Sequence, residues 1–109
     1  MGEKIKMPRS KRTIACDITP EVRQTVLERD YRHCAYCGDV GRLDIAHYVS
    51  RAKGGLGIEQ NLVTLCRLCH HNTDQTTKRK HYLDFMKAYL DVRYPDFNHE
   101  DRFYKKGGI

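Results

Sequence analysis

The chain has 109 residues, of which 39% are hydrophobic and 31% charged, and this length and composition predict one compact domain. No apolar run approaches the ~18 residues that a membrane span needs, and the N-terminus lacks the apolar stretch of a signal peptide. We therefore expect a cytoplasmic protein with no membrane partner. The net charge of +6 favours a polyanionic partner such as nucleic acid.

Residues 1–15 predict a flexible basic arm, because few of them are apolar and Pro8 and Ser10 interrupt any helical period. The basic side chains of this arm are Lys4, Lys6, Arg9, Lys11 and Arg12. A second basic run, 78–80, precedes the apolar pattern near the C-terminus. Such runs either contact phosphate or form a solvated surface, and we expect at least one of the two to contact phosphate.

A single domain is predicted over residues 16–98. Its first element is a helix that begins at Pro20, is capped by Thr19 and ends near Asp30. The later elements are predicted as a strand over 43–49, a loop over 51–57, a strand over 61–65, a helix beginning near Cys69 or His70, and a C-terminal helix over about 80–93. Residues 99–109 are polar, and we expect them to form a tail that frays.

Four of the five cysteines form two Cys-x-x-Cys pairs, Cys34 with Cys37 and Cys66 with Cys69. Each pair supplies two sulfurs at the separation that a tetrahedral zinc ion requires. A thioredoxin-like redox pair would instead need one motif at a helix start within a βαβ pattern, which this layout lacks. The sequence therefore predicts a structural zinc ion, closed by four sulfurs and without chemistry of its own. Cys16 lies outside the pattern and is expected to be a small core or surface thiol.

Side chains that could act in catalysis or bind a metal ion lie between and just after the cysteine pairs. In the first strand Asp44 and Ala46 share one face, and His47 points to the other. His70 and Asp74 are four apart, so on a helix they would face the same way and could share one metal ion. His71 is expected to point elsewhere on that helix. Asn61 opens the second strand.

Three stretches in this order resemble the HNH endonucleases: CAYC at 34–37, AHYVSRAKGG at 46–55 and NLVTLCRLCH at 61–70. Many members of that family carry the same pair of zinc knuckles. The resemblance implies an α+β fold, namely a small zinc-stabilised ββα-metal (HNH) domain with flanking N- and C-terminal helices. Its ββα core would cover about 31–80.

The resemblance also implies roles for three residues. His47 corresponds to the general base that activates the attacking water, which suits an imidazole that is neutral near pH 7. Asn61 corresponds to the residue that fixes the loop geometry and the orientation of the base, and it could be purely structural. His70 corresponds to a ligand of the catalytic divalent metal, Mg²⁺, Mn²⁺ or Ni²⁺. Such a site hydrolyses a phosphodiester and leaves a 5′-phosphate and a 3′-hydroxyl.

One position departs from the family pattern. Many members have a metal ligand immediately before the general base, and here that residue is Ala46. Asp74 matches the position where relatives often place a ligand after His70, although it could equally be a solvated helix residue. Asp44 could reach over Ala46 as a further ligand. The expected catalytic metal set is therefore His70 with Asp74, Asp44 or both.

Two classes of function follow from these patterns. The first is a metal-dependent DNA endonuclease, with RNA left open as a substrate because the chemistry is common to both polymers. The alternative is a zinc-stabilised nucleic-acid-binding module without catalytic activity, a reading that Ala46 supports. The C-terminal stretch 89–95 is similar to small bacterial and phage members of the family. Bacterial or phage DNA-processing proteins are therefore expected partners beside DNA, and the oligomeric state stays open.

Overall fold

A two-stranded antiparallel sheet lies at the centre of the fold. The computed structural model describes residues 9–74 and 76–106. Strands β1 (Leu43–His47) and β2 (Leu62–Cys66) pair in a register that sets the two ends of β1 opposite Cys66 and Leu62. The α-helices are α1 (Lys11–Cys16), α2 (Pro20–Arg29), α3 (Arg67–Asn72) and α4 (Arg79–Arg93). The predicted α+β fold, a ββα unit with helices on either side in the chain, is confirmed.

The core lies on both faces of this small sheet. On one face α2 packs Val26 and Leu27 against Ile45 of β1 and Leu62 of β2. On the other face α4 and the cysteine region form a larger cluster, whose buried members are Cys34, Ala46, Val63, Leu65, Cys66, Cys69, Tyr82, Met86 and Leu90. Every residue of β2 is buried as a result. The sheet is therefore a fixed platform from which the ends of β1 and β2 can position side chains.

The predicted boundaries of the regular elements are close to those in the structure. Helix α2 begins at Pro20, and the Thr19 hydroxyl accepts a hydrogen bond from the Val22 N–H at 3.2 Å, which satisfies one of the free donors of the first turn. Both strands are shifted or shortened by one or two residues relative to the prediction. No helix in the described ranges is long and apolar enough to cross a membrane.

The expectation of a flexible arm over 1–15 is wrong for its last part, which forms α1. The Ser10 hydroxyl caps this helix by accepting from the Thr13 N–H at 3.0 Å. Helix α1 is then held by contacts far along the chain, because Arg12 donates to the carbonyl of Ala52 at 2.8 Å. Residues 1–8 lie outside the described residues, so the expectation for Lys4 and Lys6 stays a prediction.

The expectation that 99–109 frays is also wrong for the part that the structure describes. Residues His99–Arg102 form a 3₁₀ helix, and Arg102 is only 2% exposed. Its guanidinium donates to the carbonyl of Gln60 at 2.7 Å and lies 5.6 Å from the centre of the Tyr48 ring. A buried arginine with both a carbonyl acceptor and an aromatic face fixes this segment against the domain. Residues 107–109 lie outside the described residues.

Candidate active site

The four paired cysteines converge at one end of the sheet. Their sulfur atoms all lie within 4.8 Å of one another, and the cysteines of the chain are free thiols. Two of the sulfurs come from the turn before β1, one from the last residue of β2 and one from α3. Gly38, with φ of +82°, provides the left-handed turn that follows the first pair. This arrangement fits the tetrahedral four-sulfur shell of a structural zinc ion.

The surroundings of the sulfurs shift the thiol pKa values in opposite directions, because the pKa of Cys34 is lowered whereas those of Cys37 and Cys69 are raised. The backbone N–H groups of Cys37 and Cys69 each donate to the sulfur three residues earlier at 3.4 Å. Burial raises the pKa of the Cys34 thiol, but backbone donors, with Cys37 first, outweigh it and lower that pKa to about 7. The Tyr82 hydroxyl of α4 donates to the sulfur of Cys69 at 3.7 Å. Helix α4 is therefore connected to the zinc shell.

A separate open cavity of about 400 Å³ lies beside α3. His47 from the end of β1, His70 from α3 and Asp74 from the segment after α3 all line it. Its cationic lining residues are Arg51, Arg67 and Arg79. The structure thus brings three of the sequence-predicted site residues to one cavity with several positive charges, an arrangement suited to a phosphate.

The ring of His47 is held by a backbone carbonyl from outside the sheet. Its Nε2 lies 2.9 Å from the carbonyl oxygen of Cys16, at the end of α1. Because a carbonyl can only accept, Nε2 must carry the proton, which leaves the lone pair on Nδ1. Burial lowers the pKa of His47 and outweighs the hydrogen bond to the Cys16 carbonyl, which raises it, and the charges of Arg51 and His70 lower it further. A neutral imidazole with a free Nδ1 can accept a proton.

The segment that supplies this carbonyl is fixed on several sides. The Cys16 carbonyl also accepts from Arg51 at 2.9 Å, and Arg51 forms an ion pair with Asp17. The N–H of Gly57 donates to the Ala15 carbonyl at 3.0 Å. A side chain on Gly57 would collide with the carbonyl oxygen of Asp17. This contribution could not be predicted from the sequence, because any residue type can supply a backbone carbonyl.

Asn61 is fully buried and closes the loop that follows His47. Its Oδ1 accepts from the N–H of Val49 at 2.8 Å, and its Nδ2 donates to the carbonyls of Val49 at 3.1 Å and Leu56 at 2.9 Å. The backbone carbonyl of Asn61 accepts from the N–H of Tyr48 at 2.8 Å. All of these bonds go to the loop, so the amide can orient His47 through the backbone.

His70 of α3 is paired with Asp44 of β1. Its Nδ1 lies 2.9 Å from Asp44 Oδ2, which also accepts from Arg67 Nε at 3.1 Å. Burial raises the pKa of Asp44, but its hydrogen bond with His70 and the charge of Arg67 outweigh that effect and hold the pKa below its ordinary value. An ionised Asp44 can either chelate a cation together with His70 or orient the imidazole so that Nε2 is free to bind one.

The expected helical pairing of His70 with Asp74 is wrong. Helix α3 ends at Asn72, so Asp74 is exposed in the segment beyond it, although it lines the same cavity as His70. His71 also lines this cavity instead of pointing elsewhere. Among the residues that the structure describes, the cysteines are the only group of three or more metal-binding side chains close enough to share an ion. A cation at His70 would therefore need oxygen ligands from phosphate or water.

Comparison with known proteins agrees with this geometry. Residues 34–75 match the family model described as HNH endonuclease. The matched span contains both cysteine pairs, all of β1 and β2, and the residues His47, Asn61 and His70. It does not contain Cys16, whose carbonyl holds the ring of His47. A search of curated proteins found no match to the chain.

Proposed function

We propose that this chain, which carries an HNH endonuclease domain at residues 34–75, is an active enzyme that hydrolyses phosphodiester bonds in DNA with the help of a divalent metal ion. One observation carries the proposal. His47, held in the tautomer that leaves Nδ1 free, lies in the same cavity as His70, with arginines around both. A proton acceptor, a metal ligand and positive charge are the groups that this hydrolysis requires.

In the proposed reaction His47 acts as the general base. Its Nδ1 accepts a proton from a water molecule, whose oxygen forms a bond to phosphorus while the bond from phosphorus to the 3′ oxygen breaks. The carbonyl of Cys16 stabilises the imidazolium that results, because it keeps accepting from Nε2–H. A divalent cation bound at His70 would supply charge neutralisation at the phosphate and the leaving oxygen. The leaving 3′ oxygen takes a proton from solvent, so the products are a 5′-phosphate and a 3′-hydroxyl.

Other residues in and beside the cavity serve the substrate and the metal. Asp44 holds the His70 ring through the 2.9 Å contact and compensates for the missing ligand at Ala46. Asp74 faces the same cavity and can supply an additional carboxylate oxygen. Arg79 is fixed by donating to the carbonyl of Thr73 at 2.8 Å, so its charge stays at the cavity wall. The three arginines of the cavity lining, together with the net charge of +6, favour a polyanion over a neutral substrate.

Nicking of supercoiled plasmid DNA tests the proposal. We expect cleavage in Mg²⁺, Mn²⁺ or Ni²⁺, no cleavage in EDTA, and a loss of roughly 10²–10⁴-fold in His47→Ala, the range for a general base. His81→Ala is the matched control, because His81 is exposed on α4, bonds Tyr36 and is not among the cavity-lining residues. Cleavage of an RNA and a DNA of equal length, compared under the same conditions, shows whether the site prefers DNA.

The alternative is a nucleic-acid-binding module without catalysis. Ala46 and the absence of a third close ligand at His70, among the described residues, are the observations that favour it. Binding of DNA without metal-dependent cleavage, in the natural chain as in His47→Ala, would contradict the enzyme proposal and support this alternative. Unchanged cleavage in His47→Ala would refute the role of His47 while leaving the reaction class in place.

A further inference from the structure

A second cavity, of about 370 Å³, continues from the one that holds His47 and His70. The side chains that line both cavities are Tyr48, Ser50, Arg79 and Leu83. The second cavity lies between the loop after β1, the start of α4 and the 3₁₀ helix near residue 100. Most of its lining comes from residues after 78, which the family match does not cover.

One wall of the second cavity is aromatic. The rings of Tyr48 and His99 meet edge to face with centres 5.9 Å apart, and His99 meets Phe103 in the same way at 5.4 Å. The buried Arg102 lies behind this wall, 5.6 Å from the centre of the Tyr48 ring. A row of rings that the fold holds in place is the kind of surface on which a nucleobase stacks.

The charged side chains of the second cavity are mainly basic. Lys53, Arg79 and Lys80 line it, against one carboxylate from Asp84. Asp84 is already paired with Lys80 at a distance of 2.8 Å. The charge that the remaining side chains present is therefore positive, which suits a phosphate group. Rings on one side and cations on the other match the two parts of a nucleotide.

We propose that the second cavity binds one unpaired nucleotide next to the phosphate that is cut, with its base against Tyr48, His99 and Phe103. The proposal rests on the proposed function, because the occupant belongs to the same strand. A base inside a duplex is paired and stacked, so it cannot enter a cavity without leaving the helix. A volume of about 370 Å³ falls within the range of roughly 300–1,000 Å³ for small-ligand pockets. The substrate class that follows is single-stranded DNA or DNA with unpaired nucleotides at the cut.

Cleavage of matched oligonucleotides tests this proposal. The same labelled strand is offered as a single strand and within a full duplex. It is also offered with a single abasic residue, placed on one side or on the other side of the cleaved bond. We expect the single strand to be cut faster than the duplex. An abasic residue on one side should slow the natural chain at least about fivefold, the loss that corresponds to one base stack. Equal rates on the single strand and the duplex, with no effect of either abasic residue, would overturn the proposal while the proposed function holds.

Substitution of the aromatic wall links that loss to the cavity. In Phe103→Ala, and in Phe103→Leu where bulk is kept, the abasic and intact strands should be cut at nearly equal rates. Phe85→Ala is the matched control, because Phe85 of α4 packs against Tyr36, lines neither cavity and should leave the abasic effect intact. An abasic effect that persists in both Phe103 variants would place the base elsewhere and contradict the proposal.

A binding measurement separates failure of this proposal from failure of catalysis. The His47→Ala variant is mixed with a strand that carries the fluorescent base 2-aminopurine. This base stands on the side of the cleaved bond where an abasic residue slowed cleavage, or on each side in turn if nothing is cut. Stacking should change its fluorescence in the single strand but not in the duplex, and Phe103→Leu should weaken the change. Such a change, together with no cleavage by the natural chain, would support the nucleotide cavity and reject the nuclease. The absence of any change would reject the nucleotide cavity, whatever the cleavage assay gives.

Discussion

Helix α3 contributes to two regions of the molecule. Cys69 belongs to the cysteine cluster, and the adjacent His70 lines the cavity that His47 also lines, here called the histidine cavity. The cluster brings four identical ligand atoms within 4.8 Å of one another, and all but Cys37 are buried. The cavity instead spreads unlike groups from β1, α3 and the segment after α3 around about 400 Å³ of open space. A filled shell stabilises the fold, whereas an open one leaves positions for water and substrate.

The difference also shows in what holds each region. The cluster is completed by residues close to the strands and α3, together with one hydroxyl from Tyr82. The cavity depends on distant backbone, because the His47 ring is bonded to the carbonyl of Cys16, 31 positions earlier in the chain. Damage to the cluster should therefore unfold the domain, and damage to the supports of the cavity should lower activity with a smaller loss of stability.

The largest effect is expected for Cys66→Ser. Loss of one sulfur leaves an incomplete zinc shell, and structural zinc contributes on the order of 10 kcal/mol to folding in small domains. We expect a protein without bound zinc, without a cooperative thermal transition and without nuclease activity. Zinc content and circular dichroism measure this. Cys16→Ser is the control, since Cys16 is buried but lies outside the cluster and should keep zinc. A folded, zinc-loaded Cys66→Ser would contradict the role of the cluster.

A smaller effect on folding, but a clear one on catalysis, is expected for Gly57→Ala. The added methyl group would collide with the Asp17 carbonyl and push away the segment that holds His47. Misplacement of a catalytic group by about 1 Å can cost roughly 10²-fold in rate. The ¹⁵N shifts of the His47 ring report directly on the tautomer, which a general loss of stability would not change in the folded fraction.

The control for this variant is Gly41→Ala. A methyl group there would meet Asp39 at an ordinary distance of 3.5 Å, in a turn that is not part of the cavity lining. Its cleavage rate and His47 tautomer should match those of the natural chain. If Gly57→Ala cleaves at the natural rate with an unchanged tautomer, α1 does not position the base.

The two regions also differ in how well the sequence predicts them. The cysteine pairs lie in short local motifs whose spacing was enough to predict a zinc site. His47, Asn61 and His70 lie in the stretches that resemble the HNH endonucleases, and residues 34–75 match that family model. Alternation along β1 predicted that Asp44 and Ala46 share one face, and in the structure Asp44 contacts His70 of α3. Local pattern therefore accounts for the zinc cluster and for most of the sheet.

The supports of the cavity could not be predicted in the same way. Helix α1 lies within a stretch of basic residues that alone suggests disorder, and its position depends on carbonyl contacts with residues around 52–57. Arg102 looks like a residue of a polar tail, yet it is buried because a carbonyl and two aromatic rings surround it. Asp74 fell outside the expected helix because α3 ends after only six residues. Each of these depends on contacts between distant segments.

Asp44→Asn tests whether the cavity replaces its missing ligand as proposed. The substitution keeps the shape but removes the negative charge beside His70. Partners of metal-bound histidines typically contribute about 10–100-fold in metal affinity or activity. We expect the metal concentration for half-maximal cleavage to rise within that range, with activity recovered at high metal. Asp91→Asn is the control, because Asp91 pairs with Lys87 on the exposed side of α4. An unchanged metal requirement would leave Asp44 as a simple partner of Arg67.

The smallest effect is a shift in the pH dependence of cleavage. The pKa of His47 lies below its ordinary value of 6.5, first because of burial and then because of the charges of Arg51 and His70. A base must be neutral to accept a proton, so the rate should fall with decreasing pH only below about 6.5. The unfolded chain binds this proton more readily, so the contribution of His47 to stability also declines as the pH falls through that range. Rates measured from about pH 5 to pH 8 locate the midpoint.

Arg51→Gln sharpens this test, because it removes one of the positive charges that lower the His47 pKa. The midpoint of the acid limb should move up towards 6.5, while Arg23→Gln, on the exposed surface of α2, should leave it in place. Arg51→Gln should keep its zinc, since the substitution leaves all four sulfurs of the cluster untouched. A midpoint above 6.5 in the natural chain would mean that a group other than the buried, carbonyl-bound His47 accepts the proton.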